Sequence, residues 1–309
     1  MTNAHTDTAA VSALAAGAVL NAGSTVVIGS IAADQSTSLV SATGFFVSIV
    51  VLWTIRSSHQ RPAWTPDTVR LVIAANVRTC AEFVAYFLAL EHLEPSLADA
   101  TLNGTSPLAM AIAAALGLSA TTLSRRQWIP ILFIAAGLSL TAFTAVSGRS
   151  ALPDDVDGNA VLGVLLAMAA GVATAAVVTT LKRLSMAGWS NLEILRYRFG
   201  LLVVVSAALS IGRPLGDVTA VGLGAFVVVV LVGVTLPLWL IQFGISRVSV
   251  LTVLVLGNLG PLATYALELF DPRLALTAAS GIATALTCVG IVSYAFATRH
   301  DADEPNSRS

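Results

Sequence analysis

Residues 158–181, GNAVLGVLLAMAAGVATAAVVTTL, form a run of 24 residues without a charged side chain. A helix needs about 20 apolar residues to cross the roughly 30 Å of hydrocarbon in a bilayer, so this run predicts a membrane-spanning helix. The two flanks of the run differ in charge. Three aspartates lie before it, within residues 154–157, and Lys182 and Arg183 follow it. This asymmetry indicates that the end with Lys182 faces the cytoplasm.

The rest of the chain has a similar composition. Hydrophobic residues make up 56% of its 309 residues and charged residues 11%, and the mean hydropathy is +0.84. A soluble domain carries about 25% charged residues. A chain this poor in charge cannot cover a water-facing surface, so its surface must face lipid. The formal net charge of −1 and the lack of a basic run argue against a nucleic-acid partner.

Charged and Pro/Gly-rich breaks divide the chain into ten apolar segments, which predicts an all-α polytopic membrane protein. The predicted spans are 9–31, 37–55, 70–90, 96–118, 127–147, 158–181, 190–212, 219–243, 248–270 and 275–297. We expect two five-helix units, 9–147 and 158–297, with no soluble domain between spans. Residues 1–8 and 298–309 are predicted to be cytoplasmic tails, and the polar segment from Arg299 is expected to be disordered.

The charges in the joins predict the orientation. If the N-terminus is cytoplasmic, the inner joins and tails hold ten basic residues, and the outer joins hold only Arg149, Arg213 and Arg273. Basic residues concentrate on the cytoplasmic side of membrane proteins, so both termini are predicted to lie inside. We expect a multi-pass protein of the inner (cell) membrane, and the preference for Arg, Ala, Val and Gly indicates a GC-rich bacterial genome.

A weak internal repeat relates the two halves of the chain. The tripeptide PLA at 107–109 recurs at 261–263, and the same offset of 154 residues carries Phe45 onto Phe199. Because each half holds five helices, an odd number, a repeat would place the halves in opposite orientations across the membrane. The sequence therefore predicts a 5+5 inverted repeat.

Two segments resemble a known transporter family. FLALEHLEPSLADATLNGTSPLAM at 87–110 resembles the third-to-fourth-helix region of the EamA-like family in the drug/metabolite transporter (DMT) superfamily, and QFGISRVSVLTVLVLGNLGPLATYALELFDP at 242–272 resembles the matching part of the second half. The resemblance implies ten helices in a 5+5 inverted repeat and the export of a small metabolite, amino-acid-like compound or drug. Residues 117–126 lack the acidic residue that members often carry after helix four.

Prolines midway along the fourth and ninth spans predict where a substrate binds. The fourth span reads NGTSP at 103–107 and the ninth reads GNLGP at 257–261. A broken helix frees backbone groups, which inside a membrane must line a cavity or meet a neighbouring helix. In the alternative, each Pro only kinks its helix and each Gly allows close helix packing. The candidate substrate-binding residues from these breaks are Asn103, Ser106, Pro107, Asn258 and Pro261.

Arg78, Glu82 and Tyr86 recur at a spacing of four residues on the third span and are expected to share one helix face. A charge at the membrane centre costs at least about 2.5–3.5 kcal/mol on insertion scales, so it must face a cavity or a partner. In one hypothesis Arg78 binds an anionic group of the substrate and Glu82 exchanges a proton. In the other, Arg78 and Glu82 form an ion pair within the bundle. Both hypotheses remain open from the sequence.

Five further polar or aromatic residues lie within the spans. Asp99 is either a gate or proton-entry carboxylate, or a solvated residue near a helix N-terminus. Arg198 lies deep enough in the seventh span to be a substrate-site candidate. Trp239 and Gln242 of the eighth span follow a proline and are substrate-site candidates. Trp239 could stack on a planar substrate, or it could equally be an aromatic residue of the membrane interface. Glu268 is interpreted as a solvated residue near the outer end of the ninth span.

The motifs argue against an enzyme. HExxH, a Walker loop and a Cys/His metal cluster are missing, and no cofactor or metal is predicted. We expect a secondary active transporter that works by alternating access, with proton coupling through Glu82 and Asp99. The expected partners are a small-molecule substrate and the lipid bilayer, and a homodimer is left open. The alternatives are a passive facilitator or channel for a small solute and a membrane-embedded lipid-modifying enzyme.

Overall fold

The computed structural model describes most of the chain as helix. The described residues are 8–32, 37–56, 64–116, 125–147, 159–212, 228, 230–247, 256–257, 259–271, 274 and 277–303. The helices are α1 (Thr8–Ala32), α2 (Thr37–Thr54), α3 (Pro66–Ala89), α4 (Pro95–Ala115), α5 (Arg125–Val146), α6 (Ala160–Met186), α7 (Asn191–Arg198), α8 (Gly200–Leu209), α9 (Leu236–Arg247), α10 (Leu259–Glu268) and α11 (Ala278–Asp303). A π-helical turn, Leu231–Thr235, leads into α9. Within these ranges the all-α prediction is confirmed.

The outer surface of the bundle is apolar. Six helices, α1, α2, α3, α5, α6 and α11, are long and apolar enough to cross a membrane. Large hydrophobic side chains such as Phe46, Ile73, Leu132 and Leu165 lie exposed on this surface. Scattered exposed apolar residues are normal on soluble proteins, but a surface composed of them requires lipid. The chain is therefore a multi-pass helical membrane protein.

Several helix ends differ from the predicted spans. α3 begins at Pro66 rather than at 70, because the Thr65 side chain accepts the Thr68 N–H and the Thr68 side chain accepts the Thr65 N–H, a capping box. At the other end of the chain, α11 continues to Asp303. The expectation of disorder from Arg299 is therefore wrong for the first residues of that tail.

The predicted seventh span is two helices, α7 and α8, which are separated at Phe199. Asn76 of α3 inserts its side chain at this break. Its amide donates to the Tyr197 carbonyl, and its Oδ1 accepts the Leu201 N–H at 3.3 Å. A side chain inserted into the backbone hydrogen-bond ladder is one of the recognised causes of a sharp helix break.

The fourth span does not break at its proline. Pro107 lies inside a continuous α4, and Pro261 lies in the first turn of the described part of α10. The prediction that proline breaks helix four is therefore wrong, and the interruption lies at Phe199 instead.

Small residues set the closest helix contacts. α5 packs on α11, and α6 packs on α3 and α4. A Cβ added at Gly171 of α6 would lie 2.4 Å from the Leu102 carbonyl oxygen of α4. Helix backbones can approach this closely only where one side chain is missing.

We expect Gly171→Ala to lower stability by about 1–3 kcal/mol, because the added methyl group meets backbone atoms rather than a flexible side chain. Gly23→Ala is the matched control, since its added Cβ would lie 3.9 Å from Leu267, an ordinary contact. The control is expected to be neutral or to stabilise by up to about 1 kcal/mol. The measurement is the melting temperature of each variant in detergent. Equal melting temperatures for both variants would contradict the packing assigned to α4 and α6.

Candidate functional site

A cavity of about 250 Å³ lies inside the helix bundle. Residues of α1, α3, α4, α6, α7, α9 and α10 line it, so helices from both halves of the chain contribute. Apolar side chains such as Leu14, Phe83 and Ile241 form much of its wall. The polar lining residues are Asn21, Glu82, Tyr86, Asp99, Asn103, Ser106, Thr174 and Arg198. An apolar cavity with a few convergent polar groups is the usual form of a small-molecule site.

Glu82 and Arg198 form a buried ion pair in the cavity wall. The Glu82 Oε2 atom lies 3.9 Å from Arg198 Nη2. The Thr174 hydroxyl donates to Glu82 Oε1 at 2.9 Å, and Arg198 Nε donates to the Thr79 hydroxyl at 3.3 Å. Arg198 is also the last residue of α7, where a positive charge suits the helix dipole. The ion pair, the two hydrogen bonds and the helix dipole together stabilise two charges that would be costly to bury alone.

Asp99 lies in a second polar cluster at the tip of the cavity. It is only 4% exposed. The Tyr86 hydroxyl donates to one carboxylate oxygen, and the Thr264 hydroxyl donates to the other at 2.7 Å. The Thr25 hydroxyl oxygen lies 3.3 Å from that of Tyr86. Because the cluster joins α1, α3, α4 and α10, the interpretation of Asp99 as a solvated helix-end residue is wrong.

Glu268, the last residue of α10, is fully buried. The Ser96 backbone N–H donates to its Oε1 at 2.7 Å. Ser96 is the second residue of α4, where backbone N–H groups lack intrahelical acceptors, so Glu268 caps α4 from a neighbouring helix. The interpretation of Glu268 as solvated is wrong as well. All residues from 93 to 101 are buried, and the bundle is closed at this end.

Five predicted substrate-binding residues line the cavity, Glu82, Tyr86, Asn103, Ser106 and Arg198, and so does the predicted proton-coupling residue Asp99. The remaining candidates in the described residues, Arg78, Pro107, Trp239, Gln242 and Pro261, do not line it. Asn258 lies outside the described residues.

Arg78 is exposed and bonds to α6 instead of Glu82. Its guanidinium donates to the Ala176 carbonyl at 3.2 Å and to the Thr180 hydroxyl. Each step of four residues turns by about 40° around a helix, so Arg78 and Tyr86 point about 80° apart. Arg78 lies outside the cavity lining, whereas Glu82 and Tyr86 of the same helix belong to it. The hypothesis of an Arg78–Glu82 ion pair is wrong, because Arg198 is the partner of Glu82.

The two candidates on α9, Trp239 and Gln242, contact neighbouring side chains of the bundle. Trp239 is partly exposed and stacks on Phe243, with ring centroids 5.7 Å apart. Gln242 is buried, and its amide lies 3.5 Å from the Asn191 side-chain oxygen. Neither side chain faces the cavity, although Leu238 and Ile241 of the same helix do.

The sequence reasoning missed Asn21 and Thr174, both of which line the cavity. Asn21 is the only amide side chain in α1, and a lone amide within an apolar span is a usable signal for a polar cavity. Thr174 gives no such signal, because the hydroxyl group of a threonine in an apolar helix can donate a hydrogen bond to a backbone carbonyl of the same helix. Thr174 does so here with the Ala170 carbonyl at 2.9 Å.

No protein-family model and no curated protein matches the sequence. The fold is similar to that of a protein whose crystal structure is known and whose description names no function. The TM-score is 0.59, the two sequences are 18% identical, and the match covers 91% of this chain and 98% of the other. At this identity the likeness concerns the fold alone.

We expect Arg198→Ala to destabilise the protein by about 3–5 kcal/mol, because it leaves the Glu82 carboxylate buried without its partner. Arg78→Ala is the matched control and should lose much less, since that guanidinium is exposed. Adding Glu82→Gln to Arg198→Ala should restore part of the loss. Melting temperatures in detergent measure all three. Equal losses from the two arginine substitutions would contradict the buried pair.

Proposed function

We propose that the chain is a secondary active transporter of the EamA-like, DMT type that exports a small metabolite or amino-acid-like compound by alternating access. The observation that carries this proposal is the polar cavity inside a lipid-facing bundle, with the Glu82–Arg198 pair in its wall. A membrane protein has little reason to keep buried charges in a cavity unless they act on a solute or an ion.

The chemistry of the cavity supports an amino-acid-like cargo. Glu82 suits an ammonium group and Arg198 suits a carboxylate, and the two lie 3.9 Å apart, beyond hydrogen-bond distance of each other. The apolar part of the wall suits the remainder of such a molecule. At about 250 Å³, the cavity lies just below the usual range of about 300–1,000 Å³ for drug-sized ligands. This volume favours a small metabolite over a large drug.

The closed end of the bundle supports alternating access. Two contacts join α10 to α4 there, Thr264 to Asp99 and Glu268 to Ser96. A transporter needs states in which the site is sealed from one side of the membrane. With both termini inside, the sealed end faces outward, and the structure then corresponds to a state closed to the exterior.

The pairing of helices supports the 5+5 inverted repeat. α1 packs on α9 and α10, and α6 packs on α3 and α4. Exchanging the first and sixth spans, the third and eighth, and the fourth and ninth maps one set of contacts onto the other. The same exchange maps the α5–α11 contact and the α2–α8 contact onto themselves. A two-fold relation between the halves accounts for this pattern.

We expect purified protein in proteoliposomes to exchange radiolabelled small amino acids, and Glu82→Gln to abolish the exchange. If one proton moves with each substrate, a gradient of one pH unit should change accumulation by up to about tenfold. Glu91→Gln is the control, because this carboxyl group lies outside the cavity lining. Flux that ignores the pH gradient would contradict proton coupling and favour a passive facilitator. Full exchange by Glu82→Gln would contradict the site.

Fusions to alkaline phosphatase, which is active only outside the cytoplasm, test the proposed orientation. A fusion after Ser147 should be active, whereas fusions after Arg183 and after Ser309 should be inactive. Fusions to green fluorescent protein at the same positions should give the opposite pattern. Activity after Arg183 would contradict the N-in, C-in topology.

A further inference from the structure

Glu268 has an unusual environment for a carboxyl group. It is fully buried at the contact between α10 and α4, and its Oε1 accepts a hydrogen bond from the Ser96 N–H. Its Oε2 is also buried and has no hydrogen-bond partner among the described residues. An ionised carboxylate can accept several hydrogen bonds, so half of this group's capacity is unmet.

Among the described residues, the charged and titratable groups around Glu268 offer it no full positive charge. The two carboxyl groups that act on it electrostatically, Glu94 and Asp99, carry its own sign. Of the elements packed against α10, α1 has no titratable side chain, and no basic side chain of the described residues acts on Glu268. The other titratable groups near this cluster are Tyr86 of α3 and Cys288 of α11.

Within the described part of the chain, the source of positive potential at Glu268 is the N-terminus of α4. A helix N-terminus is equivalent to about half an elementary charge, and its effect extends over one turn. That is insufficient for a full negative charge that is fully buried beside two further carboxyl groups. A buried acid in this position is expected to bind a proton and become neutral. The neutral acid keeps the Ser96 hydrogen bond, because its carbonyl oxygen still accepts.

We propose that Glu268 binds a proton while the α4–α10 end of the bundle is closed and releases it when that end opens. Its burial depends on the closed contact, because α4 provides both Ser96 and the Asp99 that bonds Thr264 of α10. Separation of the two helices admits water to Glu268, which then ionises. By linkage, low pH favours the closed end and high pH favours the open end.

The distance between two spin labels across this end tests the proposal. Val161 of α6 is 50% exposed and Phe270, just after α10, is 84% exposed, so both tolerate substitution by labelled cysteine. The native Cys80 and Cys288 are replaced by alanine, and double electron–electron resonance is recorded in nanodiscs at pH 5.5 and pH 8.5. The parent protein should show the open, longer distance increasingly as pH rises, by up to about tenfold in open-to-closed ratio per pH unit.

Three substitutions at two positions test whether Glu268 is the group that responds to pH. Glu268→Gln, which mimics the protonated acid, should keep the short distance at both pH values. Glu91→Gln, which removes the same charge at the same end, should behave as the parent does. Glu268→Asp keeps a titratable group and should shift the pH midpoint, so the proposal is testable even if Glu268→Gln does not fold.

Three results would overturn the proposal. The first is a parent distance that does not change with pH, and the second is an unchanged pH dependence in Glu268→Gln or an unchanged midpoint in Glu268→Asp. The third concerns Arg273, which lies outside the described residues. If Arg273→Gln gives the longer label distance at pH 5.5, Glu268 is ionised and paired with that arginine, which contradicts the proposed protonated state. The readout needs no substrate, so it stands or fails independently of the proposed transport.

Discussion

Inside a lipid-facing bundle, a buried charge must find its partner on another helix, because neither lipid nor bulk water can provide one. Glu82 of α3 meets Arg198 of α7 and Thr174 of α6. Asp99 of α4 meets Tyr86 of α3 and Thr264 of α10. Each of these contacts fixes the rotation of a helix about its axis, which apolar packing alone specifies poorly. The polar contacts therefore determine which residues of each helix reach the cavity.

The two polar clusters differ in their balance of charge. The Glu82–Arg198 pair holds charges of both signs beside the cavity, so the local charge is balanced. The cluster that joins Asp99, Glu94 and Glu268 contains acidic groups, and hydroxyl groups and one helix end oppose them. A balanced pair suits recognition of a dipolar molecule, whereas an acidic cluster suits a step that depends on protons.

The apolar content and the span lengths were sufficient to predict an all-α membrane protein, because crossing a bilayer imposes a length that composition reveals. The sequence was less informative about the site. Glu82 and Arg198 are 116 positions apart, and no local pattern predicts that they meet. Arg78 was the more obvious partner by spacing, but its guanidinium bonds to Ala176 and Thr180 of α6 instead. Likewise, Pro107 gave a break signal in an uninterrupted helix, and the actual break depends on Asn76 of another helix.

The interruption at Phe199 divides one membrane span into two rigid rods. The shorter rod, α7, carries Arg198 at its end, and the longer rod, α8, is tied to α2 through Ser206 and Ser41. A continuous helix resists bending along its whole length, but a helix with its ladder opened at one residue bends there at little cost. The direction of α7, which carries Arg198, is therefore set separately from that of α8. The angle between the two rods at Phe199 therefore sets the separation of Glu82 and Arg198 in the cavity wall.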